Sequence, residues 1–147
     1  MLFHSHVIVI IIFSVFFYST TGVGWRLPIL GLSSSYQIIG QNWNGGSAVP
    51  VVGPVSPLGV WIHVATSYDS TNGIRLWLNG TLIGSTGSFS YSPSSAPNTV
   101  TLGNSLSGQS SCATGSISKG QFYGKMDELR IYSRELTVTE VDALANP

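Results

Sequence analysis

Short strand-like segments separated by turn residues fill most of the chain after Gly22. Segments of this kind that recur about every 8–12 residues are typical of an antiparallel β-sandwich. The clearest segment is 60–69, VWIHVATSYD, which alternates between two faces. One face carries Ile62, Val64 and Thr66, and the other carries Trp61, His63 and Ala65. The pattern predicts an all-β, antiparallel fold.

The segment 75–84, RLWLNGTLIG, predicts a β-hairpin whose two-residue loop is Asn79-Gly80. Both residues accept the positive φ that a type I′ turn requires. The expected register pairs Leu78 with Thr81, Trp77 with Leu82, and Leu76 with Ile83. Alternation then places one set on the core face: Leu76, Leu78, Thr81 and Ile83.

The other face of this hairpin carries Arg75, Trp77 and Leu82. A tryptophan on the outer face of a sheet can stack against a sugar ring, or it can pack under a loop or a neighbouring strand. We therefore predict Trp77 and Arg75 as candidate ligand-binding residues, and packing of Trp77 is the alternative.

The end of the chain carries a helix signal. Thr137 and Glu140 have the spacing of a capping box, and an apolar stripe follows at helical spacing. The stripe consists of Val138, Val141 and Leu144. The sequence therefore predicts one short C-terminal helix after Thr137.

The first residues carry an apolar run, VIVIIIFSVFFY, that is interrupted only by Ser14. It is too short to span a bilayer, which requires about 20 apolar residues. Small residues follow it, as at a signal-peptide cleavage site. We predict a signal peptide or hydrophobic leader over residues 1–22, a domain over 23–147, and a secreted protein. The alternatives are an uncleaved membrane anchor and a truncated gene product.

Charge excludes one class of partner. Charged residues make up 8% of the chain, against about 25% in soluble domains. The formal net charge is zero, and the six Lys and Arg residues are scattered. Nucleic-acid binding proteins concentrate basic residues on one face. We therefore predict no nucleic-acid partner.

Three ordered motifs, at 61–69, 76–84 and 120–141, resemble the laminin-G-like or concanavalin A-like jelly-roll family. The resemblance implies two facing antiparallel sheets and a non-catalytic extracellular module that binds carbohydrate or protein partners. The alternative is a structural unit or truncated fragment without a ligand. The first motif follows the predicted leader closely, which implies a sandwich that is incomplete on its N-terminal side.

Alternation in 125–132 places Asp127 with Leu129 and Ile131 on the inner side, and Glu128 with Arg130 outside. An inward carboxylate is costly unless it accepts hydrogen bonds or binds a metal. Asp127 is therefore predicted to cap backbone amides, or to bind the structural Ca²⁺ that the resemblance implies. Ca²⁺ requires six to eight oxygen ligands, and the chain has six acidic residues.

Glucanases of the concanavalin A-like fold need two carboxylates on either side of the glycosidic bond. Asp127 and Glu128 are adjacent and point to opposite faces of a strand. No Ser or Cys nucleophile with a matching acid accompanies His63, and a core or second-layer position is predicted for it. We therefore predict no catalytic activity.

The chemistry of two further residues, Asn79 and Cys112, depends on whether the chain is exported. Asn79-Gly80-Thr81 is an N-glycosylation sequon, which is used only in the secretory pathway. Cys112 is the single cysteine. In a secreted chain it indicates a disulfide whose partner is missing, an intermolecular bridge or a free thiol.

Overall fold

A computed structural model describes residues 6–10, 15–19, 27–90, 98–103, 115–118 and 120–147. They form ten strands and one helix. The strands are β1 His6–Ile10, β2 Val15–Ser19, β3 Leu27–Leu32, β4 Gln37–Trp43, β5 Ala48–Val55, β6 Val64–Asp69, β7 Gly73–Leu78, β8 Thr81–Ser85, β9 Asn98–Leu102 and β10 Arg130–Tyr132. The helix α1 is Val138–Ala145.

The strands form two five-stranded sheets. The first has the order β10-β1-β6-β7-β8, and the second has the order β5-β4-β3-β2-β9. Every described pairing is antiparallel. The buried residues of the main core come from both sheets and the loop before β6: Leu30, Ile38, Val51, Ile62, Val64, Ile74 and Leu76. The predicted antiparallel β-sandwich with a C-terminal helix is confirmed.

The N-terminal residues contribute an interior strand to each sheet. β1 pairs with β6 and β10, and β2 pairs with β3 and β9. The structure therefore differs from the predicted domain boundary after residue 22. A continuous apolar run suits both the core of a leader and a strand that is covered on two faces, and periodicity does not separate the two. The leader itself stays a prediction.

The β7–β8 hairpin has the predicted turn. Asn79 has a φ of 47° and Gly80 has a φ of 79°, as a type I′ loop requires. The pairs Leu78 with Thr81 and Trp77 with Leu82 are confirmed.

The third predicted pair of the hairpin is wrong. Leu76 lies opposite Gly84, because a bulge shifts the register between Leu76 and Trp77. The extra residue on β8 removes Ile83 from its predicted core position, and 39% of its surface is exposed.

The helix α1 begins with the predicted capping box. Thr137 Oγ1 accepts from the backbone N–H of Glu140, and the Glu140 carboxylate accepts from the backbone N–H of Thr137. Val141 is buried and Leu144 packs beside it, whereas Val138 is 56% exposed. The predicted apolar stripe is therefore wrong at Val138, because only the side of α1 that faces the sheet is covered. No helix in the described part of the chain is long and apolar enough to cross a membrane.

The acid stability of the helix start depends on Glu140. Its hydrogen bond to Arg134, and then those to Thr137, lower the pKa of its carboxyl to about 2 from 4.5. The folded state therefore favours the ionised carboxylate, which stabilises the fold above about pH 4.5 and loses its contribution as the pH falls toward 2.

We expect the wild-type protein to lose a little thermal stability as the pH falls from about 4.5 to about 2. Glu140→Gln should not show this loss, because its side chain does not titrate. The melting temperature of both proteins, measured from pH 7 to pH 2, checks this. Parallel curves at every pH would contradict it.

Candidate binding surface

Trp77, the predicted ligand-stacking residue, is fully buried with a relative exposure of 0%. It forms a second core on the outer face of the first sheet with Ala65, Leu136 and Val141. Alternation placed Trp77 on the correct face, but α1, which is distant in sequence, covers that face. The predicted ligand contact of Trp77 is therefore wrong, and the alternative, packing, describes its position.

Arg75, the second predicted ligand residue, belongs to a polar cluster beside this core. Its Nη1 atom lies 3.6 Å from Oε1 of Glu135. The Glu135 carboxylate also accepts from Ser67 Oγ at 2.8 Å and from Asn72 Nδ2 at 2.6 Å. These contacts attach the segment before α1 to β6 and β7. They give Arg75 a structural role.

Asp127, the predicted inward carboxylate, is exposed. Its Oδ1 accepts the backbone N–H of Glu128 at 2.9 Å. Glu128 has a φ of 55°, so the backbone leaves the extended region and β10 begins only at Arg130. The prediction that Asp127 faces inward is therefore wrong, and so are the inward positions of its two apolar companions, Leu129 and Ile131, which are exposed as well.

The predicted outer positions of Glu128 and Arg130 are confirmed. Glu128 Oε2 lies 2.6 Å from Arg130 Nη2, and both side chains are exposed, so the pair contributes little to stability. Within the described ranges, no group of three or more His, Cys, Asp or Glu residues could hold a metal ion. Calcium at Asp127 stays a prediction.

His63 lies directly before β6 and is half-buried. Burial, and then the positive charge of Arg130, lower the pKa of its ring from 6.5. Its two ring nitrogens are buried and have no hydrogen-bond partner among the described residues. The ring is therefore neutral at physiological pH. Cys112 lies outside the described residues.

Several connections between the two sheets meet at one end of the sandwich. Residues 56–63 cross from the end of β5 to the start of β6. At one side of this loop, the backbone N–H of Ser56 donates to the carbonyl of Tyr36 at 2.8 Å. At the other side, the backbone N–H of Asn79 donates to the carbonyl of His63 at 2.8 Å. The loop therefore lies between the β3–β4 turn and the β7–β8 turn.

The segment before β10 reaches the same end. The N–H of Phe122 donates to the carbonyl of Gly103, directly after β9, at 2.7 Å. Pairing through β2 places this end of β9 beside the last residues of β3. Pairing through β1 places Arg130 beside the first residues of β6. Residues 120–129 therefore join the two sheets at the end that the 56–63 loop crosses.

Large exposed apolar side chains concentrate at this end. The end surface is defined here by Tyr36, Leu58, Val60, Trp61 and Tyr123. Their relative exposures are 68%, 93%, 59%, 57% and 86% in that order. The turns at the opposite end, 44–47 and 70–72, contain no large apolar residue. Exposed apolar side chains that gather at one end of a domain mark interaction sites.

The local sequence explains why these side chains stay outside. Tyr36 has a φ of 61°, an unusual conformation for an aromatic residue, in the turn after β3. Ile62 is buried in the main core and anchors the 56–63 loop, while Pro57 and Gly59 precede it and prevent regular pairing. The loop carries no Lys, Arg, Asp or Glu. It offers an uncharged surface with one indole face.

This surface was not predicted from the sequence, because the alternating pattern of 60–69 indicates a strand that begins at residue 60. In the structure β6 begins at Val64, so Trp61 lies on a loop. The signal that could have identified it is Pro57-Leu58-Gly59, a turn sequence directly before an aromatic residue.

Comparison with known proteins agrees with the architecture. A laminin G family model, described as the concanavalin A-like lectin/glucanases superfamily, matches residues 8–142. No curated protein matches the chain. Among solved structures, domain 4 of AbnA, an extracellular GH43 arabinanase from Geobacillus stearothermophilus, was determined in complex with arabinotriose. It is 21% identical with a TM-score of 0.56, over 98% of this chain and 67% of that chain.

Botulinum neurotoxins provide further similar structures. One is type C, in work on a cell entry that depends on two ganglioside molecules (13% identity, TM-score 0.56, 99% of this chain). Another is the binding domain of neurotoxin DC in complex with rat synaptotagmin II (12% identity, TM-score 0.58, 98% of this chain). In both cases the chain spans 36% of the neurotoxin chain. These likenesses show the sandwich fold alone.

Proposed function

The chain belongs to the concanavalin A-like lectin/glucanases superfamily, and on that premise we propose that it is a non-catalytic, extracellular carbohydrate-binding module. The end surface is the proposed binding site. The observation that carries the proposal is the concentration of exposed apolar side chains at one end of the sandwich, with Trp61 among them on the uncharged 56–63 loop.

The chemistry of this surface suits a sugar ring. The C–H face of a pyranose or furanose is apolar, and an exposed indole offers a flat surface on which it can stack. Leu58 and Val60 precede Trp61 in sequence and extend the apolar area. Covering the exposed part of Trp61 would contribute about 2 kcal/mol. The absence of acidic and basic side chains from the 56–63 loop favours uncharged sugars over ionic ligands.

The similar structures support two classes of partner. The arabinanase domain was solved with arabinotriose, and the neurotoxin structures concern ganglioside-dependent cell entry and a complex with synaptotagmin II. We favour a glycan because the surface is aromatic and its 56–63 loop carries no charged side chain. A protein partner is the second class, and it would also use the end surface.

An extracellular location is part of the proposal, and it sets one requirement. β1 and β2 are interior strands drawn from the residues predicted as a leader. Any export route compatible with the proposed site must therefore leave these strands in the mature chain. Mass spectrometry of the exported protein tests this.

Trp61→Ala should weaken glycan binding roughly 30-fold, which corresponds to the loss of about 2 kcal/mol. The wild-type protein is first applied to a glycan array that includes arabino-oligosaccharides and ganglioside headgroups. The best-bound glycan is then titrated into wild-type and Trp61→Ala protein by calorimetry. Val138→Ala is the matched control, because Val138 is 56% exposed and lies on α1. It should bind like wild type.

The proposal fails if a monodisperse, unglycosylated wild-type protein binds no glycan on the array. It also fails if Trp61→Ala and Val138→Ala bind equally well. A separate assay tests the proposal that the module is not catalytic. Reducing sugar released from the bound glycan, and lost in Asp127→Ala or Glu128→Ala, would contradict it.

A further inference from the structure

The tip of the β7–β8 hairpin carries Asn79, and only one of the two polar atoms of its side chain is hydrogen-bonded. Asn79 is exposed, and its Oδ1 accepts the backbone N–H of His63 at 2.9 Å. Its own backbone N–H donates to the His63 carbonyl at 2.8 Å. These two bonds fix the orientation of the amide. Its Nδ2 atom has no hydrogen-bond acceptor among the described residues.

The turn and the neighbouring helix α1 explain why the next residue, Gly80, is a glycine. Gly80 has a φ of 79°, and a Cβ atom there would lie 2.7 Å from Asp142 Oδ1 on α1. Glycine is therefore required by both the turn and the helix. Thr81 is different. It is exposed on the edge strand β8, and its hydroxyl makes no hydrogen bond within the described part of the chain.

The hairpin thus accounts for Asn79 and Gly80, but it does not account for the Thr81 hydroxyl. A hydroxyl two residues after asparagine completes an N-glycosylation sequon. We propose that Asn79 accepts an N-linked glycan when the chain passes through a eukaryotic secretory pathway. The glycan then stands at the rim of the end surface.

The reaction uses the free atom of the amide. Nδ2 of Asn79 loses one proton and forms a bond to C1 of the first sugar of a lipid-diphosphate-linked oligosaccharide. The bond between C1 and the diphosphate oxygen breaks, and the lipid diphosphate leaves. Oδ1 takes no part in the new bond, so it can keep its hydrogen bond to His63.

The position of Asn79 places the sugar beside Trp61. Asn79 is hydrogen-bonded to His63, and Trp61 precedes His63 by two residues. Two residues of extended chain span at most about 7 Å. The first sugars on Nδ2 therefore lie within reach of the exposed indole. This consequence rests on the proposed function, because it concerns access to the same surface.

The acceptor is tested with the full chain, exported from a eukaryotic host behind a cleavable leader from another protein. Thr81→Ser keeps the sequon and Thr81→Ala removes it, so the two variants alter the same exposed position. Wild type and Thr81→Ser should show an added mass that peptide N-glycosidase removes. Thr81→Ala and Asn79→Gln should show none. Exported wild-type protein of unmodified mass would overturn the proposal.

A separate experiment tests whether the Asn79 glycan lies at the rim of the end surface. The best-bound glycan of the array is titrated into glycosylated wild-type protein and into Thr81→Ala from the same host. We expect binding that is lost or weakened in the glycosylated protein and retained in Thr81→Ala. Equal binding would overturn the rim position while leaving the acceptor intact. Failure of the unglycosylated protein to bind would instead count against the end surface as a binding site.

Discussion

A chain that begins at residue 23 should not fold cooperatively. The deletion removes β1 and β2, which are interior strands of the two sheets. β10 then has no neighbour in the first sheet and β9 has none in the second, while β6 and β3 each lose one partner. Domains are stable by only about 5–15 kcal/mol, and the loss of one interior strand from each sheet exceeds that margin.

Near-ultraviolet circular dichroism and denaturant unfolding of residues 23–147 and of the full chain check this expectation. The full chain should show one cooperative transition and the shortened chain none. A peptide of residues 1–22 should restore native signal when it is added to the shortened chain. A cooperatively folded 23–147 would show that these residues are dispensable, and it would support the leader.

Trp77→Ala should lower the free energy of unfolding by about 3–5 kcal/mol, the range for a large aromatic residue removed from a core. The indole of Trp77 is fully buried under α1 with Leu136 and Val141, so its removal leaves a cavity between the helix and the sheet. Trp61→Ala should change the same quantity by less than about 0.5 kcal/mol, because Trp61 is exposed.

Urea unfolding followed by far-ultraviolet circular dichroism measures both variants. Reversed effects, with Trp61→Ala the more destabilising, would contradict the described positions of the two tryptophans. The pair also separates their roles, since only Trp61→Ala should weaken glycan binding.

Features that depend on local chemistry could be predicted from the sequence. The Asn79-Gly80 turn follows from the φ values that these two residues accept, and the capping box follows from the side chains of Thr137 and Glu140. Alternation also placed Ile62 and Val64 on the core face correctly.

Features that depend on distant parts of the chain could not be predicted. The burial of Trp77 requires α1, which lies some sixty residues later in the sequence. The exposed position of Asp127 depends on the positive φ of Glu128, which no local preference of glutamate indicates. The apolar run before residue 22 carries the same signal for a leader as for an interior strand.

The candidate site could be predicted only in part, because its exposure also depends on distant parts of the chain. The sequence identified outer-face residues of the hairpin, but exposure is decided by what covers each face. Arg75 is engaged with Glu135, and Trp77 lies under α1. Trp61 stays exposed because the 56–63 loop is anchored at Ile62 and leaves the residues before it outside the core.

The most direct test of the end surface is a map of backbone amide shifts by nuclear magnetic resonance during titration with the best-bound glycan. The end surface predicts saturable shifts in residues 34–36 and 56–63, and in the segment around Tyr123, with β4–β5 turn residues 44–47 unchanged. Shifts confined to the 44–47 and 70–72 turns, or to the outer face of α1, would contradict it.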